Sequence, residues 1–413
     1  MPFRIALSGL NAASADLKVT GNNIANASTT GFKASRSEFA DVYATSLAGV
    51  SSTAVGGGVR LARVAQQFSQ GNVEFTNNNL DLAINGEGFF VLSDNGANVY
   101  TRAGAFSIDR QGYVVNSNGQ RLQVFKPIGN TGRSFDTGSM GDLQISLAEG
   151  APKATTKVDL SINLDAGEST TGAAGSINPN DPNTYNYSTS FTVYDSFGES
   201  HAASMYFLRD STNALQWHVL LTLDGTTVTS GSPASNTIDL TFNTDGTLSS
   251  PTTVTYNPVT PSNGAAPIAL SLDYADLTQY GSDYAVNGLI QDGFTTGKLT
   301  GLDIDDSGVV SARYTNGQST ALGKIALATF PNVQGLQQLG DTTWAETFAA
   351  GDRIIGEAGT ASFGLIQSGA LEASNVDIAE QLVNLITAQR NFQANSQVIS
   401  TADTITQTII NIR

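Results

Sequence analysis

The chain has 413 residues, 40% of them hydrophobic, with a formal net charge of −16 and no cysteine. That length supports two to four domains with real cores, and the missing cysteines remove disulfides, thiolate nucleophiles and thiolate metal sites. The acidic balance, with no Lys/Arg cluster to track a phosphate backbone, argues against a nucleic-acid partner.

After Pro2, which suits the first turn of a helix, Phe3, Leu7, Leu10, Ser14, Leu17, Gly21 and Ile24 recur at alternating spacings of four and three. This heptad seam predicts a long N-terminal helix. The following stretch from Ala44 to Gly58 is small and polar and ends in consecutive glycines, so it holds too little apolar surface to fold alone. The first helix is therefore read as tethered, its seam waiting for neighbouring subunits. No apolar run is long enough to span a membrane, and the N-terminus lacks the basic stretch and apolar core of a Sec signal.

From about Gly71 the period changes to two. Trp217, Val219, Leu221 and Leu223 alternate and meet Asp224-Gly225; Ile238, Leu240 and Phe242 alternate and meet Asp245-Gly246. These are strand and hairpin signals, and Asn95-Gly96, Asn118-Gly119 and Asn316-Gly317 punctuate other short apolar runs. Stretches poor in apolar residues near Gly150 and at 257–267 suggest domain limits. At the far end Ile378, Leu382, Leu385, Ala388, Phe392, Asn395, Ile399, Ala402, Ile405, Ile409 and Ile412 restore the heptad, behind a capping box of Ser374 and Asp377. The two helices would be roughly 35 and 55 Å long.

The expected fold is mainly β and multi-domain, with long α-helices at both termini forming a coiled-coil-like core, and with nested, discontinuous domains. Residues 1–30 and 371–413 make the helices, 31–70 and 364–370 the linkers, 71–145 with 284–363 a β-domain, and 146–283 an inserted outer β-domain.

Sites of chemistry are not indicated. His201 and His218 are the only histidines, which argues against a multi-histidine metal site. Asp303, Asp305, Ser307 and Gly308 imitate the opening of a calcium loop, but Tyr314 stands where a bidentate glutamate is needed, and a tight turn is the better reading. Gly86-Glu87-Gly88 lacks the third glycine of a dinucleotide fingerprint, and Asp195 and His201 have no nucleophile elbow beside them. The chain is read as a non-enzyme with no catalytic, cofactor or metal site.

NNIANASTTGFKASRSEFADVY from Asn22 to Tyr43 and LEASNVDIAEQLVNLITAQRNFQANSQVISTADTI from Leu371 to Ile405 resemble the terminal signatures of the bacterial flagellar rod and hook protein family. Asn22, Asn23, Ile24, Ala25, Asn26, Thr30, Gly31 and Phe32 carry the N-terminal signature. LDLAINGEGFFVL from Leu80 and YTRAGAFSIDRQGYVV from Tyr100 look like the β-domain common to that family. The stretches Tyr187–His201 and Tyr280–Val310 look like its hook branch.

The resemblance implies a subunit of a curved, hollow tube that joins rod to filament outside the cell and transmits torque as a universal joint. It implies export through the flagellar type III pathway, and as partners other copies of the chain, the flagellar export apparatus, a hook cap protein, a distal rod protein and a hook–filament junction protein. It assigns Phe3, Leu7, Leu10, Leu17, Ile24, Ile378, Leu382, Leu385, Phe392, Ile399, Ile405 and Ile409 to the polymer-core seam. Phe39 and Tyr43 resemble an export-gate motif, with linker packing as the equal alternative. The lysine–cysteine cross-links of some spirochaete hooks would need cysteine, which this chain lacks. A distal rod subunit, with the same ends, and an extracellular β-rich adhesin are the alternative readings.

Overall fold

A computed structural model of the chain describes residues 2–42, 56–129, 134–146, 148–169, 176–231, 234–360 and 362–411. The chain divides into two compact units, Met1–Leu147 with Gly301–Arg313 and Ser319–Arg413, and Ala148–Thr300 with Tyr314–Gln318. The domains are nested, because the second unit is inserted into the first.

In the first unit the helices are α1, Pro2–Ala25, and α2, Ile378–Asn411. Asp377 caps α2: its Oδ1 accepts the backbone N–H groups of Ala379 at 2.8 Å and Glu380 at 3.2 Å. The cap lies later than the expected Ser374, whose hydroxyl instead accepts the N–H of Val376. The reason is local: an aspartate placed directly before the first helical turn reaches two orphan donors.

Between α1 and the body, Ser35–Asp41 pairs antiparallel with Val59–Gln66, so the segment expected to be a linker is partly a two-stranded ribbon. Such a ribbon is marginal alone, and this one is supported by packing against α1. Residues 43–55, most of the glycine-terminated stretch, lie outside the described residues.

The β-domain of this unit is built from all three of its chain segments. Ser319–Thr329 pairs antiparallel with Arg121–Pro127, Phe89–Asp94 and Ile354–Glu357. Its core gathers Phe89, Val91, Tyr100, Phe125, Phe330 and Trp344. Leu365–Ser368 then pairs with Leu82–Asn85, and Ala370–Glu372 with Val73–Phe75, which leads the chain back to α2.

The second unit holds two sheets that share one core. Tyr187–Tyr194, Ser200–Arg209, Gln216–Leu223 and Thr237–Phe242 run antiparallel in the first. Lys157–Asn163 pairs parallel with Ser271–Asp273 and antiparallel with Ala285–Gln291 in the second. Leu160, Ile162, Phe207, Trp217, Leu240 and Leu272 meet between them, the arrangement of a sandwich. The Asp224-Gly225 turn has both residues in the left-handed region, as a two-residue hairpin loop requires. The unit extends to Thr300, past the limit of 283 read from the sequence, because Ala285–Gln291 completes the Lys157–Asn163 edge.

Candidate functional site

The site is the helix pair and its root in the β-domain. The helices run antiparallel: Phe3 lies with Ala402 and Ile405, Gly9 against Asn395, and Asn23 beside Gln381. On α2 the residues turned toward α1 are Gln381, Leu385, Ala388, Phe392, Asn395, Ile399 and Ala402, a heptad row of half-buried and buried positions. On α1 the buried row is Ala6, Ala13, Thr20 and Asn23, not the row of large residues. An added Cβ at Gly9 would lie 2.4 Å from Asn395 Oδ1, so the helices approach through small residues.

The predicted seam residues therefore divide. Leu10, Leu17, Ile24, Leu385, Phe392 and Ile399 are half-buried along the pair. Phe3 is 52% exposed and Leu7, Ile378, Leu382 and Ile405 are comparably open. Ile5, Val383, Ile386 and Val398 add to this outward apolar surface. The side chain of Ile409 and all of Ile412 lie outside the described residues. The threonines of α2 do not spoil an apolar face. Thr387, Thr401, Thr404, Thr406 and Thr408 each donate to the carbonyl four residues back, leaving the helix with its hydroxyl donors occupied.

The signature residues build the root. Asn22 and Asn26 close α1: the carbonyl of Asn22 accepts both the backbone N–H and the side-chain amide of Asn26, beyond the last helical residue Ala25. Asn23 is buried and bonds both ways to Ser35, accepting its N–H at 2.9 Å and donating to its carbonyl at 2.8 Å. It also donates to Gln381 of α2, so one amide ties helix, ribbon and helix. Asn375 repeats this from the other end, accepting the N–H of Ala34 and donating to the carbonyl oxygens of Gln67 and Ser69.

Gly31 has φ +69°, and an added Cβ would lie 2.5 Å from the backbone N of Ala103, so only glycine fits. Phe32 is buried behind it, and Thr30 and Ile24 are half-buried beside the turn.

At the centre of the root lies an ionic cluster that sequence reasoning did not single out. Lys33, Arg102 and Glu372 are 1%, 3% and 0% exposed. Glu372 Oε1 accepts from Lys33 Nζ at 2.6 Å and from the N–H of Gly71 at 2.9 Å, and Oε2 faces Arg102 Nη1 at 3.4 Å. Lys33 also donates to the carbonyl of Ser69, and Arg102 to that of Gly86. Burial pulls the Lys33 pKa below the usual lysine range, with Glu372 opposing it. Each residue sits in a segment that carried the family resemblance, next to glycine or apolar neighbours in a chain with only 14% charged residues. That placement was the available signal.

Phe39 lies on the ribbon, opposite Leu61, and is 41% exposed; Tyr43 lies outside the described residues. Asp303 lies in the Leu299–Ile304 strand and Asp305–Gly308 is a turn: Asp305 accepts from Ser307 and from the N–H of Val309. Each histidine sits between two aspartates in the second unit, His201 with Asp224 and Asp195, His218 with Asp239 and Asp210. His218 is a buried residue of the Gln216–Leu223 strand, and each of its ring nitrogens lies beside a carboxylate. Among the described residues no group of His, Cys, Asp and Glu is arranged to hold a metal ion.

Known proteins share this organisation. Four family profiles match in chain order: flagella basal body rod protein at residues 3–33, flagellar hook protein FlgE/F/G D1 domain at 83–178, flagellar basal body protein FlaE D2 domain at 163–294, and flagellar basal body rod FlgEFG protein C-terminal at 367–412. The flagellar hook protein FlgE of Salmonella typhimurium is 38% identical over 420 residues, covering 100% of both chains. That of Escherichia coli is 37% identical with the same coverage, and that of Borreliella burgdorferi 33% identical over 98% of each chain. The crystal structure of Helicobacter pylori flagellar hook protein FlgE2 matches with a TM-score of 0.54 at 16% identity, over 73% of this chain and 100% of that one, a likeness of fold. With both terminal signatures, the intervening domains and full-length identity in agreement, the chain belongs to the flagellar hook protein FlgE family, non-enzymatic structural subunits of the bacterial flagellar hook.

Proposed function

We propose that the chain is the repeating unit of a curved tube whose wall is lined by its paired terminal helices and whose β units face outward. Supporting this is the large apolar surface left on the pair after α1 and α2 have met: Phe3, Leu7, Ile378, Leu382, Val383, Ile386, Val398 and Ile405 are all open. Completing the burial of half-covered side chains of this size gives on the order of 10 kcal/mol per subunit, before the entropy lost on association. Repeated around a tube, that burial resists twisting.

The β units supply the compliance. Their surfaces are rich in Ser, Thr, Asn and Gly, whose contacts with neighbours exchange at low cost, so the tube bends while the core transmits torque. The seam residues named above are the assembly element. The chain reaches its place through the flagellar export apparatus, with Phe39 and Tyr43 as the export-gate segment. It grows beneath a hook cap protein, and meets a distal rod protein at one end and a hook–filament junction protein at the other.

Electron microscopy of the purified chain under salting-out conditions tests the reading. Curved tubes are expected, and Leu10→Asp with Phe392→Asp should abolish them while sparing the β units. Straight tubes, or curved tubes from the doubly substituted chain, would overturn it.

A further inference from the structure

The root of the helix pair buries two cations against one buried carboxylate. Lys33 and Arg102 come from the N-terminal third of the chain, and Glu372 arrives from its far end. The two cations feel one another, since Arg102 acts on Lys33 as a like charge. Glu87 is the other carboxylate that acts on both, and it is exposed to solvent, where its field is screened.

Before residue 372 is in place, docking Lys33 beside Arg102 would bury like charges with no adequate counter-ion, a configuration that folded proteins avoid. Arg102 has little room to compensate: its Nε is buried with no hydrogen-bond partner, and its guanidinium is fixed between Gly86 and the Phe89 ring. Glu372 settles every side of this at once. Its carboxylate takes Lys33, Gly71 and Arg102, and its carbonyl accepts the N–H of Gly31 at 2.8 Å. It thus touches the segment leaving α1, the segment leaving the ribbon, and the β-domain, and it lies just before α2.

We propose that Glu372 is an electrostatic latch: the N-terminal segment stays docked only while the C-terminal segment is docked, so the two helices hold or lose their order together rather than singly. The latch concerns the chain's own ends and holds whether or not the tube geometry above is correct.

The test is amide hydrogen exchange on the full-length chain carrying Glu372→Gln, which keeps an acceptor in place and removes the charge. Peptides from 2–42 and 371–411 should lose protection together, on the order of a hundredfold, while Phe89–Asp94 keeps its own. Adding Lys33→Met removes one of the stranded cations and should restore roughly tenfold of that protection, an effect that simple loss of packing would not produce.

Four results would overturn the latch: unchanged protection in Glu372→Gln, loss at one end only, no recovery in the double variant, or equal loss in Phe89–Asp94. A parent chain in which the Gly31 and Gly71 amides exchange as in an unfolded chain would do so as well.

Discussion

Two glycines ten residues apart should respond to alanine with opposite signs. Gly31 sits at φ +69°, where a Cβ costs about 1–2 kcal/mol in backbone energy alone. The added atom would lie 2.5 Å from Ala103 N and 2.8 Å from Ala103 Cα and Arg102 C. All three are backbone, so no rotamer change relieves them, and the chain around residue 31 must withdraw. Withdrawal lengthens the 2.8 Å bond from Gly31 N–H to the Glu372 carbonyl, worth about 1 kcal/mol. Together Gly31→Ala should cost on the order of 3–5 kcal/mol, concentrated at the root.

Gly21 lies inside α1 with nothing within 4 Å of its added Cβ, so Gly21→Ala should stabilise α1 by about 1 kcal/mol. The assay is sedimentation of polymer at a series of subunit concentrations, beside thermal unfolding of each variant. Gly31→Ala should raise the concentration needed for polymer roughly a hundredfold or abolish it, with the β-unit transitions unmoved. Normal assembly of Gly31→Ala, or equal damage from Gly21→Ala, would refute the reasoning.

Other perturbations separate the parts of the molecule. The second unit should be most stable in mild acid. Burial lowers the His201 pKa, yet bonds to Asp224 and Asp195 outweigh it and leave the pKa raised, so that contribution is intact below about 6.5 and fades as pH rises through the folded value. For Asp195, burial raises the pKa but Asn263, the Glu199 N–H and His201 bring it to about 2, so its contribution is complete above about 3.9 and lost only as pH falls through the lower value. Melting temperature against pH should peak in between, and His201→Gln should flatten the alkaline side; a melting temperature that climbs steadily from pH 6 to 8 contradicts this. Leu160→Ala, in the sandwich core, should cost about 2–5 kcal/mol and lower one of two calorimetric transitions, whereas a shift of both would show that the units do not unfold separately. Val398→Ser with Leu382→Ser, both half-exposed on α2, should remove polymer at unchanged monomer stability, and a lower monomer melting point would place them in the intramolecular core instead.

The heptad spacing and the hairpin dipeptides were legible because each is a local pattern: a period fixes which residues share a face, and a left-handed turn restricts residue type. What the spacing could not reveal is which face meets which partner. On α1 the large residues Phe3 and Leu7 define the more conspicuous row, yet Ala6 and Ala13 are the ones buried. The insert's limit was misplaced for a similar reason. Ala285–Gln291 has a mostly open burial pattern, and only its long-range pairing with Lys157–Asn163 assigns it to the second unit. The Lys33–Arg102–Glu372 cluster joins positions separated by up to 339 residues, a distance over which no local period carries information.

On α1 small residues are buried while Phe3 and Leu7 stay open, and this amounts to a division of binding energy. Ala6, Gly9, Ala13 and Thr20 on α1 are small, so the large apolar side chains at the contact come from Leu385, Phe392 and Ile399 of α2, and these are only half-buried. Phe3, Leu7, Leu382, Val383, Ile386 and Val398 are left open by that contact. On the proposed tube, helix order comes from two sources that act at different places, the hydrogen-bonded and ionic root at one end and burial against other copies along the shaft. A root that fixes direction without saturating the shaft suits the proposed repeating unit, whose helices find further cover in a polymer. Filling the seam would test that division: Ala13→Leu costs about 1–3 kcal/mol if the close approach is required. If the pair tolerated leucine there and melted higher, the small residues would not be setting the approach, and the outward placement of Phe3 and Leu7 would need another cause.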